Sequence, residues 1–186
     1  MTIEASKDND KELLKALQDP ALQNAAFTLL VKQNSKQLYW QIRRIVLSHD
    51  DTDDILQNTF IKAWNNINNF RGDSQLSTWL HRIAINETLT FLSHKPPAYV
   101  PLDSEEVSMV EQLESDKYFN GSHADALLQE AVSRLPHKQH IIFCLKYFEE
   151  MKYEEISELL GTSIGALKAS YHIAVKKIGD YIKKND

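Results

Sequence analysis

The sequence predicts an all-α protein of two small helical domains, an N-terminal helical bundle and a C-terminal four-helix domain with a helix-turn-helix, joined by a flexible acidic linker. Three observations carry this. Apolar residues recur at three- and four-residue steps through most of the chain, and no stretch reads as a strand. The five glycines and five prolines fall mostly between these periodic segments. Charge is divided unevenly: residues 1–95 hold 11 basic and 11 acidic side chains, 123–186 hold 9 of each, and 96–122 hold six acids against Lys117. That middle stretch alone accounts for the net charge of −5, so two neutral domains flank an acidic tether.

Size and composition set further bounds. A chain of 186 residues, 42% of them hydrophobic, can bury one large or two small cores. Cys144 is the single cysteine, so no internal disulfide forms and a reducing, intracellular compartment is expected. The opening MTIEASKDNDKELL is charged and lacks an apolar segment, and no apolar run approaches the roughly 18 residues of a membrane span. A cytoplasmic protein without membrane insertion is the expectation.

In the first domain, DPALQNAAFTLLVKQ offers Asp19 as an N-cap with Pro20 at the first helical position. Leu22, Ala25, Ala26, Leu29 and Leu30 then share one predicted face. A second segment from Ser35 turns Leu38, Ile42, Ile45 and Val46 inward, and between 31 and 48 the only charges are Lys32, Lys36, Arg43 and Arg44. The next helix, DDTDDILQNTFIKAWNNI, opens on four aspartates that suit the positive end of a helix dipole, with Ile55, Leu56, Phe60, Ala63 and Ile67 as its buried stripe. The loop NFRGDSQLS leads into TWLHRIAINETLTFL, where Trp79, Leu80, Ile83, Ala84 and Leu89 repeat at helical spacing. KPPAYVP ends the domain, because proline cannot continue a helix and biases its predecessor towards extended backbone.

The second domain reads as four helices: DALLQEAVSRL, a helix opened by Pro136 at PHKQHIIFCLKYF, YEEISELL, and SIGALKASYHIAVKKIGDYI. Gly161 can take the left-handed conformation that ends the third, and Ser163 can cap the fourth. Ile164, Leu167, Tyr171, Ala174 and Ile178 face the core; Gly165, Ala166, Lys168, Ala169, His172, Lys176 and Lys177 face outward. This is the geometry in which one helix braces and the next offers its N-terminal residues to base edges; an ordinary helical hairpin is the alternative.

Other motifs invite chemistry. Phe70 and Trp79 flank a polar loop, with Arg82 and Asn86 at i and i+4 on the following helix. A base swung out of a duplex needs an aromatic or loop pocket, a hydrogen bond to its edge and a cation for the neighbouring phosphate. A place in the core suits Trp79 better, and for Phe70 both readings stay open. Counting from Asp50, the sixth and twelfth positions are Ile55 and Ile61, not the glycine and glutamate of a calcium loop. His137, His140 and Cys144 share a helical face with no second ligand pair, which suits packing. No phosphate loop, nucleophile elbow or HExxH motif occurs, so no metal, no cofactor and no catalytic residue are expected.

Taken together, DDILQNTFIKAW, FRGDSQLSTWLHRIAIN and LPHKQHIIFCLKYFEEMKYEEISELLGTSIGALK resemble the sigma-70 family of bacterial transcription initiation factors, in its small two-domain extracytoplasmic function (ECF) form. The resemblance covers roughly residues 20 to 95 and 125 to 182. It implies a non-enzymatic factor that binds core RNA polymerase, at a basic coiled coil of the largest subunit and at the flap region, and directs it to promoter DNA. Residues 1–95 would bind polymerase and recognise and melt the −10 element; 123–186 would read the −35 element. Asp54, Gln57 and Asn58 would lie on the docking face. Phe70, Arg82 and Asn86 would capture an unpaired −10 base. Ser163, Lys168, Ala169, Ser170, His172 and Lys176 would meet the −35 duplex. The acidic linker would thread channels that later hold RNA, and an anti-sigma factor would cover both reading surfaces.

Two departures stand out. Members of the family usually carry glutamate where Asn58 stands, and commonly arginines where this chain has Ser170, Ile173 and Val175. Each phosphate neutralised adds a salt-dependent increment to binding, so this helix should grip DNA weakly alone. The rival expectations are a stand-alone helix-turn-helix regulator and, less directly, an enzyme built on the aspartate cluster and nearby histidines.

Overall fold

A computed structural model describes residues 3–94 and 122–185. Contacts divide the chain into two units, residues 1–101 and 102–186. The acidic tether lies outside the described residues except for Ser122. Among those residues only helices and turns occur.

The first unit holds α1 (Ile3–Gln18), α2 (Gln23–Val46), α3 (His49–Asn66), a single 3-10 turn (Ile67–Asn69) and α4 (Leu76–Ser93). Helix α1 was not expected from its charged sequence. Leu13 and Leu17, one turn apart, are buried in the common core. Burying such a side chain is worth about 1.5–3 kcal/mol, and most helical stability in proteins comes from such packing rather than from propensity. Those two leucines therefore account for its docking against α2 and the 3-10 turn.

The two segments expected between residues 19 and 48 are one helix. The Asp19 carboxylate accepts from the Ala21 amide, and the Asp19 carbonyl accepts from the amides of Leu22 and Gln23, so residues 19–22 form a turn. Helix α2 begins only at Gln23, after Pro20 rather than at it. Leu22, Ala25 and Leu29 are exposed, contrary to the predicted face; the buried stripe is Ala26, Leu30, Asn34, Leu38, Ile42 and Ile45. Its polar interruption does not break it, because Asn34 Nδ2 donates to the Leu30 carbonyl at 2.8 Å and Ser35 Oγ to that of Val31 at 2.6 Å. Side chains that bond within their own helix can sit at packed positions.

Leu47 closes α2 in the left-handed region at φ 64°, and Ser48 caps α3 by accepting from the Asp51 amide. Ile55, Ala63 and Ile67 are buried as expected, with Leu56 and Phe60 partly so. On α4, Leu80 and Ala84 are buried and Trp79, Ile83 and Leu89 half-buried. Thr52, Thr59 and Thr88 are also fully buried, each hydroxyl donating to the carbonyl four residues back.

The second unit holds α5 (His123–Ser133), α6 (His137–Phe143) continuing into a π turn (Cys144–Phe148), α7 (Tyr153–Leu160) and α8 (Ile164–Asn185). Pro136 occupies the cap position before α6, and Gly161 ends α7 at φ 60° as expected. Ile156, Leu167, Ala174 and Ile178 are buried, while Ile164 and Tyr171 are half-buried. Across α5 and α8, the buried Glu130 carboxylate accepts from Tyr181 Oη and from Arg134, both at 2.8 Å. Burial, with the Glu130 contact second, holds the Tyr181 phenol above its ordinary range.

Helix α5 starts with a reciprocal cap: Ser122 Oγ accepts from the Asp125 amide, and the Asp125 carboxylate accepts from the Ser122 amide at 2.7 Å. Those donors from Ser122 hold the Asp125 carboxyl below the usual carboxylate range. Ser122→Ala should cost about 1 kcal/mol at neutral pH, read by denaturant unfolding of the full chain. A depressed carboxyl pKa stabilises above the unfolded value and loses that contribution as pH falls through the folded one. The difference between variant and parent should therefore shrink below about pH 4.

Candidate docking and nucleic-acid surfaces

Three exposed surfaces collect the residues singled out in the sequence. On α3, burial of Ile55, Thr59 and Ala63 turns Asp54, Gln57 and Asn58 to solvent. Ile61 and Trp64 continue that face at the next two turns; Ile61 is 51% exposed, and Trp64 packs edge-on to Phe27 at 4.9 Å between ring centres. The surface is thus polar and acidic towards its N-terminal end and apolar towards the other. Sequence reading found the first half only. The signal for the second was the continued step of three and four residues, masked by the buried stripe one position away.

The second surface is a cleft of about 520 Å³ between the C-terminal part of α3, the 3-10 turn and α4. Phe70, Trp79, Ile83 and Asn86 line it, with the Lys62–Glu87 ion pair at its wall. The Phe70 and Trp79 rings lie 5.1 Å apart, tilted by 40°. Phe70 is only 9% exposed and belongs to the core, yet it also lines this cleft and a smaller one of about 370 Å³ shared with Lys11, Leu14 and the loop Gly72–Leu76. Core packing and cleft lining are therefore both true of Phe70, and Trp79, half-buried, shares the double position.

Asn86 is exposed inside the cleft. Arg82, one turn earlier on α4 and also exposed, is not among the cleft's lining residues. The structure thus joins Phe70 and Asn86 and leaves Arg82 outside. Lys62 is a cation at the cleft that the sequence reading did not single out.

The third surface is the start of α8. Ser163 Oγ accepts from the Ala166 amide at 3.4 Å, a long cap contact. Lys168, Ala169, His172 and Lys176 are exposed as expected, whereas Ser170 is half-buried at the edge. Lys168 Nζ lies 5.6 Å from the Tyr153 ring centre, over α7, and Lys146 Nζ lies 5.1 Å from the same ring. Lys177 Nζ donates to Gln139 Oε1 at 3.1 Å. Ile173 and Val175 are exposed apolar side chains. Tyr171 stacks on Phe143 beneath this surface, and burial holds its phenol above the ordinary range.

Among the described residues no group of three or more His, Cys, Asp or Glu side chains could hold a metal ion, and no helix is long and apolar enough to cross a membrane.

Residues 30–95 match the family model of sigma-70 region 2, and residues 125–178 that of sigma-70 region 4. The chain is 30% identical over 176 residues to the ECF RNA polymerase sigma factor SigW of Bacillus subtilis, covering 89% of this chain and 90% of that one. It is 28% identical over 183 residues to the RNA polymerase sigma-H factor of Pseudomonas aeruginosa, covering 88% and 89%. In fold it is similar to CnrH in its complex with the cytosolic domain of CnrY, with TM-score 0.59 at 21% identity over 95% of this chain and 99% of that one. It is also similar in fold to the sigma factor RpoE of Bartonella quintana, solved with the anti-sigma factor NepR, with TM-score 0.57 at 19% identity over 84% and 96%.

The double position of Phe70 separates stability from surface chemistry. Phe70→Ala should destabilise the chain by about 3 kcal/mol, as expected for emptying a core site. Asn86→Ala, on an exposed face, should stay within about 0.5 kcal/mol. Denaturant unfolding of the two variants checks both, and it marks Asn86 as the residue whose functional loss can be read cleanly.

Proposed function

The chain belongs to the sigma-70 family of RNA polymerase sigma factors, in its ECF group, and from that premise we infer how its three surfaces divide the work of promoter recognition. It directs DNA-templated transcription initiation as a sigma factor. The single observation that carries the finer reading is the cleft in which an exposed amide, Asn86, stands beside two aromatic walls, Phe70 and Trp79.

Polymerase docking is assigned to α3. The negative Asp54 and the amides of Gln57 and Asn58 suit a basic coiled coil of the largest subunit, and the exposed Ile61 and Trp64 add apolar contact beside them. With Asn58 in place of glutamate one charge is missing, which lowers electrostatic steering more than packing.

Capture of an unpaired −10 base is assigned to Phe70 and Asn86, with Arg82 and Lys62 near the flanking phosphates. Unstacking a base costs a few kcal/mol, and stacking on an aromatic returns about 1–3 kcal/mol. The two nearly cancel, so the hydrogen bond to Asn86 tips the balance and favours one base edge.

Readout of the −35 duplex is assigned to Ser163, Lys168, Ala169, His172 and Lys176, with Ser170 at the margin. Two of the helix's lysines are already engaged with protein groups, Lys168 with Tyr153 and Lys177 with Gln139. Few cations are left for phosphates, so the isolated chain should bind duplex DNA weakly. That counts against a stand-alone helix-turn-helix regulator, which must supply its own affinity.

The partners in this reading are core RNA polymerase, through its largest-subunit coiled coil and flap region, promoter DNA, and an anti-sigma factor covering both reading surfaces. It is not an enzyme, and it works in the cytoplasm. Domain roles follow: residues 1–95 dock and open the −10 element, 96–122 tether, and 123–186 read the −35 element.

In vitro transcription with core polymerase on random-sequence templates should give start sites preceded by two common elements. Asp54→Ala should weaken core binding about tenfold by titration. Asn86→Ala should bind core normally yet reduce open-promoter formation at least tenfold; normal opening by that variant would refute the base-capture assignment.

A further inference from the structure

The outward face of α8 is short of hydrogen-bonding side chains where it should meet bases. Leu167, Ala174 and Ile178 are buried, so 3.6-residue periodicity turns Gly165, Ala166, Ala169, His172, Ile173 and Lys176 to the opposite side, and all six are exposed. Ile173, a large apolar side chain, is 45% exposed. Between Ser163 and Ile173 the chain holds no Arg, Asp, Glu, Asn or Gln. The single cation of that stretch, Lys168, leans to the flank, with Nζ 5.6 Å from the centre of the Tyr153 ring.

Gly165 is not explained by packing within the chain. Glycine weakens a helix relative to alanine, yet a Cβ at this position would meet no atom within 4 Å. Close approach of the helix backbone to something outside the chain accounts for it.

What such a face can read follows from the base edges. In the major groove guanine shows two acceptors that take Arg or Lys, cytosine an amino group that takes a carboxylate, and adenine a donor beside an acceptor that take Asn or Gln. None of those side chains stands on this face before Lys176, two turns beyond Ala169. The thymine methyl is the apolar landmark of that groove, and it takes alanine and other apolar contacts. Ala166 to Ile173 spans about 10 Å at 1.5 Å per residue, the rise of about three base pairs.

We propose that α8 selects its duplex by thymine methyl groups, with Ala166, Ala169 and Ile173 packing on the methyls of a thymine-rich run in the −35 element. The proposal rests on the sigma-factor reading above, with α8 as its −35 helix, and names the bases that this helix takes. A protein partner is the other class of occupant for an exposed apolar side chain. DNA is favoured because the face belongs to the second helix of a helix-turn-helix, inside the residues that match sigma-70 region 4. Gly165, Ala166 and Ala169 also let the helix backbone come close to a groove floor.

The test uses the full chain with core polymerase. A promoter that the parent protein opens is drawn from random-sequence templates. The thymines of its −35 element, on either strand, are replaced one at a time by uracil, which removes the methyl and keeps every hydrogen-bonding group. Each methyl lost from a packed contact should weaken promoter binding about fourfold. In Ile173→Ala the uracil effect should shrink at one position and persist at the others. Val175→Ala, exposed on the flank of the same helix, should keep the parent response throughout. Core affinity should be that of the parent in both variants. Equal binding of thymine and uracil templates overturns the methyl readout, and so does a −35 element without thymine. Loss of core affinity in Ile173→Ala overturns it in favour of a protein partner. Those failures leave the sigma-factor reading standing, because initiation by the parent is their starting point. A parent that supports no initiation with core polymerase refutes that reading, and the methyl readout with it.

Discussion

Close packing of α2, α3 and α4 is the constraint from which every exposed feature of the first unit follows. Leu38, Ile42, Ile55, Leu80 and Ile67 fill the centre, while Ala63 and Ala84 supply small side chains between them. Thr59 and Thr88 contribute polar groups that are harmless there, because each hydroxyl is satisfied inside its own helix. Once one stripe of each helix is committed inward, 3.6-residue periodicity leaves little freedom for the rest. Asp54, Gln57, Asn58 and Ile61 must share a face of α3, and Arg82 and Asn86 must share a face of α4. A one-residue rotation of α3 would turn Ile55 out and Leu56 in, and the exposed face proposed for docking would be lost with the core. Fold and function are coupled here through register, with no residue required to serve both except at the cleft.

Much of this was legible because helical stripes and their breakers are local signals. Gly161 and Ser163 mark the turn between α7 and α8, and Ile164 to Ile178 mark the inward face of the last helix; all can be read without knowing what they pack on. The failures have a common physical cause. Helix α1 is held by Leu13 and Leu17 docking on residues distant in sequence, so nothing in its own charged composition announces it. The polar stretch of α2 suggested a break, but back-bonding by Asn34 and Ser35 lets it continue. Pro20 suggested a helix start, whereas the carbonyl of Asp19 takes two amides and makes a turn first.

At the sites, the resemblance assigned residues by position in a motif, and geometry then sorted them. Phe70 and Asn86 meet at one cleft because the 3-10 turn delivers the first to the side of α4 that displays the second. Arg82 lies between Trp79 and Asn86 along α4 but is rotated out of the cleft wall that they line. Lys168 was expected to face outward and it does, but helix α7 also places the Tyr153 ring under it, an arrangement visible only once the two helices cross. Pairing of this kind offsets part of the attraction such a lysine would offer a phosphate.

Weak surfaces suit a factor that must let go. Each surface proposed to read DNA is sparse: the α8 face is poor in unengaged cations, and the proposed capture of a base at Phe70 would be close to thermoneutral before a hydrogen bond from Asn86. Joining two such contacts through one chain raises the effective concentration of the second to the millimolar range, which multiplies avidity by about 10² to 10⁴ without a new contact. The same arithmetic runs backwards on release. When either contact breaks, avidity collapses to a single weak surface, and departure is fast. A recognition helix rich in arginine would hold DNA by itself and forfeit that property, whereas the exposed Ile173 and Val175 of α8 bring no such charge.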